Sequence, residues 1–141
     1  MEGVAYARIE AEPLERFVSL RRALGVTAFG INQMALAPGQ RGRIHRHERQ
    51  EEVYLVLSGI LTISIEGDER DMGAGELVRV APEVRRQLLN RHRERCVLLA
   101  LGGAGEHVSR DGVAYESWDD REGRTPQEVP LPEDLPGAEL E

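Results

Sequence analysis

The 141-residue chain has no lysine, a single cysteine and few aromatic residues, and each shortage narrows what the protein can be. One thiol cannot close an intramolecular disulfide, which fits a reducing compartment, and Val97, Leu98 and Leu99 mark Cys96 as a buried strand thiol. No apolar run approaches the ~18 residues of a membrane span. The start Met1-Glu-Gly-Val4 carries no basic segment followed by an apolar one, so no secretory signal is read and the expected location is the cytoplasm. Basic charge is also short. The net charge of −7 excludes nucleic acid as a default partner, because phosphate contacts need a basic surface. All 18 basic residues are Arg, so abundance alone makes no arginine functional.

What remains is an ordinary globular composition, 40% hydrophobic and 30% charged, in a length that suits one domain. Residues 1–25 are read as an N-terminal segment packing on that domain. Pro13, with Leu14, Phe17, Val18, Leu20 and Leu24 before Gly25, suits a short helix, whereas Arg16–Leu20 suits equally an edge strand. Val26–Leu36 reads as a strand ending in Ala37-Pro38-Gly39. Further strands are expected at Val53–Leu57, Ile60–Ile65, Leu77–Ala81, Val84–Leu89 and Cys96–Leu101, separated by Gly and Pro turns. Short strands so punctuated predict an all-β sandwich or barrel over residues 26–105. Residues 106–141 form a C-terminal extension, acidic and Pro-rich, with about the last fifteen expected to be a loosely ordered tail. Tyr115 and Trp118 are expected to pack back on the barrel.

The richest stretch runs from Gly39 to Gly59. His45 and His47 are two apart, so on a strand both imidazoles share a face, and Glu52 heads the next apolar strand. Glu51 is the alternative, but alternation groups Glu52 with Tyr54 and Val56. Two imidazoles and a carboxylate can hold a divalent metal; Fe, Mn, Ni, Co and Zn all accept such ligands. Written as G(X)5HXH(X)4E(X)6G, the stretch resembles the first signature motif of the cupins, with every fixed position filled.

That resemblance implies a double-stranded β-helix, the jelly-roll cupin barrel, covering roughly Thr27–Gly102. It also implies a fourth ligand from a second motif, G(X)5PXG(X)2H(X)3N, which is degraded here. Gly75 to Pro82 holds one extra residue, Val84 replaces a glycine, and counting from Pro82 puts Gln87 at the histidine position, with Asn90 one residue early. The metal set read from the sequence is thus His45, His47, Glu52 and Gln87. An inward Gln87 turns Arg85 and Leu89 inward too and sends Arg86 out. Arg85 and Arg79 are then candidate clamps for an anionic substrate, or solvated arginines, and Tyr54 is a candidate hydrogen-bond donor to a ligand. His92 and His107 are read as surface residues.

The functions implied are a metal-dependent oxygenase or isomerase acting on a small molecule, or a non-catalytic, metal-free small-molecule-binding module. Nothing indicates a Ser or Cys nucleophile. The resemblance also implies a homodimer paired through exposed sheet faces, which the apolar residues on both faces of Ile60–Ile65 and Val97–Leu101 fit.

Overall fold

The computed structural model describes residues 2–12, 15–103 and 111–141. Pro13 and Leu14, the expected helix start, lie outside that range, as do residues 104–110 with His107. Among the described residues, ten strands form two five-stranded sheets. One sheet has the order β1 (Phe17–Ser19), β2 (Gly30–Leu36), β9 (Cys96–Gly103), β4 (Glu51–Ser58), β7 (Leu77–Val80). The other has β10 (Gly112–Tyr115), β3 (Ile44–His47), β8 (Arg86–Leu89), β5 (Leu61–Ile65), β6 (Asp68–Met72). Every pairing is antiparallel, and the sheets face each other as a jelly roll.

Alternation builds the core. On β4, Tyr54 and Val56 point inward, 1% and 0% exposed, to meet Leu61 and Ile63 of β5, Leu88 of β8 and Leu98 of β9. The glycines closing the Gly39–Gly59 stretch both have positive φ, 83° and 74°, and a Cβ at Gly59 would sit 2.3 Å from the Arg95 carbonyl. Cys96 is fully buried, and burial pushes its thiol up to about 12, so it packs as an apolar side chain.

Several expectations change on inspection. The ambiguous N-terminal stretch is both things in turn: β1 pairs with β2, then a single helical turn, α1 (Leu20–Leu24), follows, capped by Ser19 and ended by Gly25 in the left-handed conformation. The strand β6 is not among those the sequence predicts, because its Asp-Glu-Arg-Asp run carries no apolar alternation.

The expected loose tail is instead laid along the barrel. Val129 is 2% exposed, its carbonyl accepts from Arg43 Nε at 2.6 Å, and Leu135 N donates to Gly39 O at 2.8 Å. Prolines cannot donate in a ladder, and barrel arginines hold this segment through its carbonyls as well, Arg43 donating to Val129 O and Arg41 to Glu133 O. Tyr115 is buried, and the Arg85 guanidinium lies 5.2 Å from its ring and 5.6 Å from that of Trp118. No described helix is long and apolar enough to cross a membrane.

Candidate metal centre

The site joins the two sheets. His45 and His47 come from β3, and Glu52 comes from β4 across the barrel mouth. Their ligand atoms lie within 4.8 Å of one another, with His47 Nε2 3.0 Å and His45 Nε2 3.6 Å from Glu52 Oε1. Each ring is oriented from behind: His47 Nδ1 lies 2.7 Å from Asp111 Oδ1, and His45 Nδ1 lies 3.1 Å from the Arg43 carbonyl. Both partners are acceptors, so each Nδ1 carries the proton and each Nε2 lone pair faces inward.

Whether these residues fit a metal is decided at His47 Nε2. That atom is buried and makes no aligned hydrogen bond, yet a carboxylate oxygen lies 3.0 Å away. Two acceptors that close repel unless a proton or a cation lies between them. In the metal-free protein a proton on His47 Nε2 fills that place; a divalent cation fits it as well, and His45, His47 and Glu52 could hold one.

The electrostatics are those of the metal-free set, with the imidazoles donating to the carboxylate. Burial opposes the Glu52 charge, but hydrogen bonds and charge from His45 and His47 outweigh it and hold the carboxyl well below its ordinary range. Burial would also lower the His47 pKa, but Glu52 and Asp111 reverse this and raise it. Asp111 is held low against burial by the backbone N–H groups of Arg49 and Gln50, each 2.9 Å from Oδ2. Burial, reinforced by Glu52, pushes Tyr54 well above its ordinary value, so its hydroxyl remains a donor.

A pH dependence follows. Glu52 and Asp111 have folded pKa values below their ordinary 4.5 and 3.8, so their contribution is present above that range and is lost as pH falls through the folded values. His47 behaves oppositely: its contribution is full below its ordinary 6.5 and is lost as pH rises through the raised folded value. Thermal melts of metal-free protein are expected to show stability falling on both sides. Asp111→Asn should shrink the acid limb and also the alkaline one, because Asp111 supports the charged form of His47.

The fourth position corrects the sequence reading. Gln87 faces away from the barrel interior and donates from Nε2 to the Gly42 carbonyl at 3.0 Å, beside the C-terminal segment. Arg86, expected outside, is 0% exposed and points in. Its Nη2 donates to Glu52 Oε1 at 2.8 Å, its Nε to the Tyr54 hydroxyl at 3.2 Å, and its Nη1 to the Val84 carbonyl at 2.7 Å. Asn90 explains the shift. It is fully buried and donates to the Leu36 and Glu94 carbonyls, so it pins the end of β8, and counting back from Asn90 rather than forward from Pro82 puts Arg86 at the ligand position.

The other candidates separate. Tyr54 lines the cavity above the site, but its hydroxyl is committed to Glu52 Oε1 at 2.6 Å. Arg79 forms an exposed pair with Glu51 at 2.8 Å, and Arg85 pairs with Glu66 at 3.1 Å; neither lines the cavity. His92 contacts Asp71 at 2.9 Å, outside this site. Asp111 went unread because it lies 64 residues from His47 and no local pattern links them.

The family model for the cupin domain matches residues 32–102, half of the chain. The protein belongs to the cupin family. Among solved structures, this cupin resembles a cupin protein from Bacteroides fragilis at 23% identity and a TM-score of 0.67, over 77% of this chain and 91% of that one. It also resembles a structure described as a sugar phosphate isomerase of the cupin superfamily from Silicibacter pomeroyi, at 21% identity and a TM-score of 0.60, over 89% and 82%. A Cupin 2 conserved barrel domain protein from Salinispora arenicola matches at 24% identity and a TM-score of 0.57, over 69% and 90%. At these identities the likeness concerns the fold. A search of curated proteins gave no match.

Proposed function

We propose that this cupin is a metal-dependent enzyme of the oxygenase or isomerase class, acting on a small organic molecule in the cavity above His45, His47 and Glu52. The observation that carries this reading is the facing pair of acceptors, His47 Nε2 and Glu52 Oε1, at the floor of a cavity of about 420 Å³. A divalent ion there supplies Lewis-acid polarisation of a substrate oxygen or, if redox-active, activation of dioxygen. The chain's own residues do the positioning. Asp111 and the Arg43 carbonyl fix the imidazoles, Tyr54 and Arg86 hold the carboxylate, and Met34 and Leu88 give the cavity an apolar wall.

Reconstitution tests it. Chelated protein reloaded separately with Fe, Mn, Ni, Co or Zn and offered a panel of small organic acids and sugars is expected to give turnover with at least one metal. His47→Ala should abolish it. A metal-free binding module is the second reading, favoured by Arg86, whose charge already neutralises Glu52. Ligand binding that survives chelation without turnover would select it. We also propose a cytoplasmic homodimer, for which light scattering should give twice the 15.7 kDa chain mass.

A further inference from the structure

The cavity is positive in a protein of net charge −7. Glu52 is the only carboxylate among the described residues lining it, and Arg86 already compensates that charge. Arg21 and Arg22, from α1, stand in the wall with Ser19 and Asn32. Arg21 differs from Arg79, Arg85 and Arg86. Its Nε is buried and has no hydrogen-bond partner, whereas Arg86 is bonded at all three nitrogens and Arg79 and Arg85 have carboxylate partners. A shielded guanidinium N–H without an acceptor is costly, and the planar fork of Arg matches an oxyanion.

We propose that Arg21 is the anion-recognition residue of the cavity, and that the ligand is a small organic acid, carboxylate or phosphate ester. Its oxyanion accepts from the Arg21 guanidinium in the cavity wall, and the rest of the molecule runs along Met34 and Leu88 toward His45 and His47. The role of that far end rests on the metal-centre reading; the anion subsite does not. The sequence had offered Arg79 and Arg85 for this task, but their charges are spent elsewhere. Arg21 escaped notice because α1 reaches the cavity only once β1 has paired with β2.

The test uses the full chain, 15N-labelled and chelator-treated, and repeats each titration in the His45→Ala, His47→Ala double variant, so that an imidazolium in the cavity wall cannot be what recruits the anion. Inorganic phosphate and succinate are titrated while the arginine Nε–H signals are followed, with Arg21 assigned from the signal missing in Arg21→Lys. A saturable shift of the Arg21 signal is expected in the wild type, and the tighter of the two probes names the oxyanion. Arg21→Gln should weaken that anion at least ~5-fold, as loss of a charge-assisted bond implies. Arg79→Gln removes the same charge outside the cavity and should leave it unchanged. No response at Arg21, or an equal loss in Arg79→Gln, overturns the proposal. Mn(II) titration of the same samples keeps the two readings apart. Metal bound without an Arg21 response sinks the anion subsite alone, and the reverse sinks the metal centre alone.

Discussion

Glu52→Ala is expected to cost about 3–5 kcal/mol of folding stability, the usual price of stranding a buried charge. Arg86 is fully shielded, and among the described residues Glu52 is its one carboxylate partner, at 2.8 Å. Removing that carboxylate leaves the guanidinium with the Tyr54 hydroxyl and backbone carbonyls only, and Tyr54 loses its own acceptor. Glu52→Gln, which keeps an oxygen for the same donors, should lose less. Urea denaturation of the metal-free proteins measures both. A loss below about 1 kcal/mol for Glu52→Ala, the range of exposed ion pairs, would mean that the pair is solvated in solution.

Arg86→His is expected to act in two directions at once. The Arg86 guanidinium offsets the single carboxylate of the set, so the native site draws a dication weakly. Histidine removes the competing cation and adds a nitrogen near the position where the guanidinium stood. Affinity for Zn(II) or Ni(II) should rise ~10- to 100-fold, in line with the preference of both ions for imidazole. The metal-free variant should be less stable, because the Val84 carbonyl and Tyr54 hydroxyl lose a donor. Calorimetric metal titration and a thermal melt read the two effects separately.

These expectations show where the sequence was legible. His45 and His47 share a face because they lie two apart on β3, and Glu52 joins Tyr54 and Val56 because β4 alternates cleanly. The glycine turns at both ends of the motif were equally readable, since their positive φ values demand glycine. The facing of β8 was not. All four of its residues are buried, because the C-terminal segment covers the face that solvent would otherwise mark, so burial pattern gives no parity. The extra residue between Gly75 and Pro82 then misplaced the count taken from Pro82, whereas a count from Gly75 meets Asn90 and puts Arg86 at the ligand position, as the buried side chain of Asn90 bears out. Asp111 and Arg21 illustrate a second limit. Each reaches the site through a strand pairing, β10 with β3 and β1 with β2, that no local pattern announces.

The most direct test of the metal centre is calorimetric titration of chelated wild type and His47→Ala with Mn(II), Fe(II), Co(II), Ni(II) and Zn(II). One ion per chain is predicted for the wild type, with affinity falling as pH drops through the raised His47 pKa, and a loss of ~100-fold or more in His47→Ala. A wild type that takes up none of the five ions, or a His47→Ala variant that binds as tightly, would contradict the account.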